Sequence, residues 1–224
     1  MTIKSISRNT KRISRKSRGK SPSKSPVKKT RTHPHRSQPA AGSVFLKSLA
    51  VITAAEIVQL ARITSDPEMM KWIGKGKTWS VADIEEFRND EHRERGLPHN
   101  RRRHYTYIMM LGSNVIGFIE GRKSREIQKK GFSNVNDLLL RMLISRDYIG
   151  RGYGKMIIKL FLELYSRMIK PKSPAKLPGK IAIYSDIDPE NIGSIKIHLA
   201  NGFKFIGTYK YSTGKFNNRY RKII

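Results

Sequence analysis

The strongest constraint on this chain is a turn with glycine at alternate positions, Gly150, Gly152 and Gly154, set between two apolar segments of different period. Before it, Asp137 to Ser145 contains Leu138, Leu139, Leu140, Met142, Leu143 and Ile144. A run that is apolar at almost every position suits a central strand buried on both faces. After it, Arg151 to Met168 places Met156, Ile157, Leu160, Phe161 and Leu164 at helical spacing, which predicts an amphipathic helix. Glycines without a Cβ let the backbone pass close to a ligand, and the unpaired N–H groups of a helix N-terminus attract phosphate. The segment Tyr148 to Lys155 therefore reads as an anion cradle, with tight strand-to-helix packing as the other use of the same glycines. Two familiar cradles do not fit. A Walker A loop is excluded because the spacing from Gly150 to Gly154-Lys155 is one residue short and Met156 stands where a hydroxyl would hold magnesium. A dinucleotide fingerprint is excluded because neither Gly150 nor Gly152 starts a GxGxxG.

The flanking sequence fills in an α/β chain. Val44 to Leu49 predicts a first strand, and Thr53 caps a helix carrying Ile57, Leu60, Ala61 and Ile63, broken at Asp66-Pro67-Glu68. Ser80, with Asp83 three positions on, predicts a capping box at the start of a second helix whose core face holds Ile84 and Phe87. His104 to Leu111 and Val115 to Gly121 form a hairpin around Gly112-Ser113-Asn114. Arg122 to Asn136 and Lys170 to Gly179 read as loops, followed by a strand (Lys180 to Ser185), a helix (Asn191 to Ala200) and a strand (Phe203 to Tyr211). The order is one strand, two helices, three strands, helix, strand, helix, strand: a mixed sheet flanked by helices, covering residues 43–224 as one domain.

Residues 1–42 are different in kind. They hold 13 Lys and Arg and no acid, and few large apolar side chains, so ordering them would cost entropy with almost no burial to offset it. A disordered basic tail is expected. Its readings are a polyanion-binding arm acting through counterion release from nucleic acid or a similar partner, an organellar transit peptide, or a plain solvating extension. Ser21-Pro22 and Ser25-Pro26 are candidate phosphorylation sites that would lower its charge. The whole chain carries 46 Lys+Arg against 17 Asp+Glu, a formal net charge of +29, so acidic partners are expected. With no Cys, thiol chemistry and disulfides are excluded, and six His without HExxH spacing, with HxH spacing only at His33 and His35 in the basic tail, argue against a metal. The apolar runs are too short to span a bilayer and none lies near Met1, so neither a membrane span nor a signal peptide is expected. The expected place is intracellular, cytoplasmic or nuclear, with organellar import as the alternative.

Ile149 through Gly152 to Gly154 resembles the R/Q-x-x-G-x-G/A signature of the GNAT N-acetyltransferase superfamily. Asn191 to Phe203, after the next strand, is similar to that family's NxxAxxxYxxxGF element. Asp66 to Trp72 and Trp79 to Phe87 resemble the branch of ribosomal-protein N-terminal acetyltransferases. The resemblance implies the GNAT acyl-CoA N-acyltransferase fold and direct attack of an amine on acetyl-CoA in a ternary complex. It implies that Gly150, Arg151, Gly152, Tyr153, Gly154 and Lys155 bind the pyrophosphate of acetyl-CoA. The strand holding Leu143 and Ile144 would pair with the pantetheine arm and supply an oxyanion amide, and Asn191 and Ser194 would line the cofactor. Two positions depart from the pattern. Ile149 replaces the usual Arg or Gln, and His198 replaces a Tyr that protonates the leaving thiolate, a role a histidine fills if protonated or acting through water. Glu120, near the end of a strand expected to flank the cleft, is the candidate general base, with water relaying to backbone carbonyls as the alternative. No metal is implied. Since a basic surface repels polyamines, protein N-termini and lysines rank first as acceptors. The competing function is a polyanion-binding protein on a GNAT fold that has lost its chemistry.

Overall fold

The computed structural model of the protein describes residues 43–73, 76–123, 135–169, 180–211 and 214–224. The expected tail and the loops over 124–134 and 170–179 lie outside the described residues.

Seven strands form one sheet: β1 (Val44–Ser48), β2 (His104–Leu111), β3 (Asn114–Arg122), β4 (Leu138–Ile144), β5 (Ala182–Ile187), β6 (Lys204–Lys210) and β7 (Phe216–Ile223). Their spatial order is β1-β2-β3-β4-β5-β7-β6. Every neighbouring pair is antiparallel except β4 and β5. The helices are α1 (Ala54–Thr64), α2 (Pro67–Met70), α3 (Val81–Arg95), α4 (Tyr153–Ile169) and α5 (Ile192–Ala200).

Alternation of side chains along each strand sorts the core into two layers. On one face Tyr105, Tyr107, Met109, Ile119, Leu138 and Leu140 pack under Ile157, Phe161 and Tyr165 of α4. On the other, Ile108, Met110, Phe118 and Leu143 pack under Ile57 and Leu60 of α1 and Ile84 of α3. The helices on this second face begin where local chemistry starts them. Thr53 and Ser80 each close a capping box, with Glu56 and Asp83 returning the hydrogen bond to the cap. Asp66 caps α2 with Pro67 at its first position, so the expected break is a single helical turn.

One strand lies beyond what the sequence predicts. β7 inserts between β5 and β6, and its string Phe-Asn-Asn-Arg-Tyr-Arg-Lys-Ile carries no apolar alternation because its central cation is paired internally. Arg219 donates from Nε and Nη2 to the two oxygens of Asp186 at 2.6 Å each, and Tyr211 donates to the same carboxylate. Among the described residues no helix is long and apolar enough to cross a membrane.

Candidate active site

The turn after β4 holds a run of uncommitted amides. Tyr148 and Ile149 donate back to Ser145 and Arg146, closing a short 3-10 turn. The next N–H groups with an internal partner are those of Lys155 and Met156, both on the carbonyl of Gly152. Among the described residues no hydrogen bond takes the amides of Gly150, Arg151, Gly152, Tyr153 or Gly154. They sit at the N-terminus of the 17-residue α4, where the helix dipole adds positive potential. The conformation needs glycine: φ is +80° at Gly150 and +82° at Gly152, with open space where a Cβ would stand. Gly154 serves packing instead, since a Cβ there would lie 2.6 Å from Cδ1 of Ile197 on α5. Gly150 and Gly152 thus set the backbone conformation, and Gly154 permits the close packing of α4 on α5. Arg151 and Lys155 are exposed beside it, the Arg151 guanidinium lying 5.7 Å from the Tyr148 ring centre, with the Tyr153 ring edge-on to Tyr148. A cleft of about 370 Å³ runs along the same turn, between Ser145 to Tyr148 and Arg62 and Asp66.

β4 and β5 part well before this turn begins. They pair in parallel only at Leu138 with Ile183 and Leu139 with Tyr184, while β4 stays paired to β3 as far as Ile144. Beyond Leu139 the β5-facing backbone of β4 has no ladder partner, a ready template for an extended amide-bearing chain. Leu143 and Ile144 commit their side chains to the two core layers, and since Ser145 donates to the Ile116 carbonyl, alternation turns the Leu143 backbone to β3 and the Ile144 backbone to the β5 side. Asn191 is the cap of α5, its Oδ1 accepting from the Ser194 amide at 3.1 Å, and this places both residues at the start of the helix that follows β5.

The two expected catalytic side chains are both buried. His198 is buried against the edge of Phe203 and donates from Nδ1 to the Ser194 carbonyl at 2.8 Å. Burial pushes its pKa down to about 4 against the pull of that carbonyl. The expected proton donor thus has its Nδ1–H committed to Ser194 and lies within the core rather than on an open helix face. Glu120 is also buried, accepting from His104 Nδ1 at 3.0 Å and from the Arg141 guanidinium. Burial alone would raise its pKa, but His104 and Arg141 hold the carboxyl down at about 2. Both oxygens of the expected general base are therefore occupied by His104 and Arg141.

What sequence reasoning missed is the pocket those cations line, about 130 Å³ beneath α3, walled by Trp79, Phe87 and Phe118 with His104, Glu120 and Arg141 at its polar end. Cross-strand register makes it: Thr106 faces Glu120 and Glu120 faces Arg141. Arg141, in the unpaired stretch of β4, also lies 5.3 Å from the Trp79 ring centre. Two acids of α3 fix the floor. Glu91 pairs with Arg102 and accepts from the Thr106 amide at 3.1 Å, and Glu94 accepts from the amides of Arg103 and His104 at 2.5 and 2.8 Å. The polar alternation His104, Thr106 on β2 was the one sequence signal, but only the register turns it into a site. Among the described residues no group of three or more His, Asp or Glu is set to hold a metal.

The profile of the acetyltransferase (GNAT) domain family matches residues 48–204, which takes in β2 to β5, the glycine turn and α5. The chain belongs to this family. Among curated protein sequences none matches it significantly. Its fold is similar to that of solved GNAT structures. The aminoglycoside acetyltransferase AAC(6')-Ib in complex with coenzyme A aligns at 17% identity and a TM-score of 0.57, over 81% of this chain and 95% of that one. RimJ of Mycobacterium smegmatis in complex with CoA-disulfide aligns at 14% identity and a TM-score of 0.61, over 82% and 83%. A GNAT-family acetyltransferase from Bacillus anthracis aligns at 16% and 0.58, over 82% and 95%. As a GNAT acetyltransferase the chain is an acyltransferase, and its glycine turn and its parted strands fall within the matched region.

Proposed function

We propose that this GNAT enzyme moves an acetyl group from acetyl-CoA to a primary amine, with protein N-termini and lysines as the first-ranked acceptors. The observation that carries the reading is the run of five unpaired amides from Gly150 to Gly154, beside strands that part from Leu140 onward. A diphosphate fits those amides, with Arg151 and Lys155 adding charge-assisted contacts at the rim. The β5-facing edge of β4 fits the two amides of a pantetheine arm, and the Ile144 N–H on that edge would face the thioester carbonyl as charge develops there. Bound acetyl-CoA supplies the activated acyl carbon; the protein supplies position, donors and a proton acceptor. Ile149 supports the loop without touching that function, since its amide closes on Arg146 and its side chain is exposed.

The acceptor class follows from charge. Residues 191–224 hold seven Lys and Arg and no acid, and the chain as a whole is at +29, a field that disfavours free polyamines. A panel of acceptors tests it: a peptide with a free N-terminus, an N-blocked lysine peptide, spermidine and an aminoglycoside, each incubated with the full chain and acetyl-CoA and followed by thiol release. The expected result is transfer to one or both peptides and little to the small amines. Transfer confined to spermidine or the aminoglycoside would overturn the acceptor assignment. No transfer and no acetyl-CoA binding, with tight binding of nucleic acid, would favour the polyanion-binding reading instead.

A further inference from the structure

We propose that His104, oriented by Glu120, is the general base that takes the proton of the acceptor ammonium in the pocket beneath α3. The inference rests on the acetyl-transfer reading and adds to it the acceptor's seat and the group that activates it.

The geometry supplies each requirement. Glu120 is buried and pinned from one side by Arg141, so its other oxygen is a fixed acceptor for His104 Nδ1–H at 3.0 Å. A carboxylate holding the Nδ1 proton sets the tautomer and leaves the lone pair of a neutral ring on Nε2. The ring is not sealed in: its side chain is 42% exposed and lines the pocket, so a proton received there can leave to water. The pocket suits an ammonium on a carbon stem, because Trp79, Phe87 and Phe118 offer aromatic faces, while its carboxylates Asp90, Glu91 and Glu120 are already paired with Arg93, Arg102 and Arg141. Arg141 ties it to the parted half of β4, where the thioester is to lie.

The step balances without another reagent. Nε2 takes one proton from the R–NH3+ group and the nitrogen keeps the electron pair. That pair forms the C–N bond as the C–S bond breaks, and the proton shed by the new amide nitrogen goes to the leaving sulfur. His104-H+ then returns its proton to solvent, so one amine, one thioester, one amide, one thiol and one proton are accounted for.

The pH dependence follows from the groups around the ring. The hydrogen bond to Glu120 raises the His104 pKa above its usual value, against burial, and the charges of Glu120, Glu94 and Glu91 act the same way. Arg141 on β4, Arg122 opposite His104 on β3, and the neighbouring Arg102 and Arg103 are the cations that face this cluster, with Asp90 as its remaining acid. A base must be neutral to act, so kcat/KM should rise with pH through the raised His104 pKa, above about 6.5. The test uses the full chain with its best acceptor. His104→Gln should lower kcat/KM by about 100-fold and flatten the acidic limb, with acetyl-CoA binding unchanged. Glu120→Gln should shift that limb, and the His104 ring titration followed by NMR, to lower pH. Wild-type transfer that His104→Gln leaves intact in rate and pH profile would overturn the proposal. Failure of the wild-type chain to transfer acetyl to any amine would instead defeat the underlying reading.

Discussion

A Gly152→Val chain will fold but bind acetyl-CoA at least about 100-fold more weakly than the wild type, a loss of roughly 2.7 kcal/mol. The residue stands at φ +82° with nothing within 4 Å of where its Cβ would be, so no core contact is disturbed. What changes is the backbone. A β-branched L-residue in the left-handed region is strained by about 1–2 kcal/mol, and an exposed loop relieves such strain by turning its peptide planes. The amides from Gly150 to Gly154 then cease to converge, and the anion site is lost while the strand and helix on either side remain. Calorimetric titration with acetyl-CoA and a thermal melt check both halves. Unchanged affinity in a folded variant would mean that these amides do not hold the ligand.

The opposite profile is expected at Gly117, in the middle of β3. A Cβ there would lie 2.2 Å from the Leu143 carbonyl oxygen and 3.1 Å from Cα of Ile144, both backbone atoms of β4. No rotamer relieves that clash. β3 and β4 must separate, and β4 is the strand that carries both core layers and the site. Gly117→Ala should therefore cost more than about 4 kcal/mol, in the range reserved for broken cores, and Gly117→Val should fail to fold. Gly112→Ala, at the exposed hairpin tip, is the comparison, with strain of only about 1–2 kcal/mol from its φ of +58°. Melting curves by circular dichroism decide: a Gly117→Ala chain melting like Gly112→Ala would contradict the close β3–β4 approach.

The strand–turn–helix around Gly152 is legible in the sequence because three local signals agree there: a doubly apolar run, alternate glycines and a 3.6-residue repeat. The two capped helices are legible for the same reason, since Ser80 and Asp83 complete their hydrogen bonds within one turn. β7 is not, because its polar string becomes a strand by pairing with β5 and β6 on either side, with Arg219 neutralised by Asp186 33 positions away. The candidate site divides on the same line. The cradle depends on neighbouring residues and can be read from them. The catalytic side chains depend on register and burial, which no window of sequence contains. Glu120 is a surface carboxylate or a buried ion-pair partner according to whether Arg141 faces it across β3 and β4. His198 keeps or loses its proton according to whether Phe203 and the core close over it. His104 acquires a role only once Glu120 has one.

In the proposed acetyl transfer the backbone from Gly150 to Gly154 grips the diphosphate of acetyl-CoA. This grip is tested most directly by following those five amide signals in an ¹H–¹⁵N spectrum of the full chain titrated with acetyl-CoA and, separately, with acetylpantetheine, which has no diphosphate. The predicted result is that all five move strongly on adding acetyl-CoA and stay nearly still with acetylpantetheine. Amides that remain in place while acetyl-CoA binds elsewhere on the protein, or that respond equally to both ligands, would contradict it.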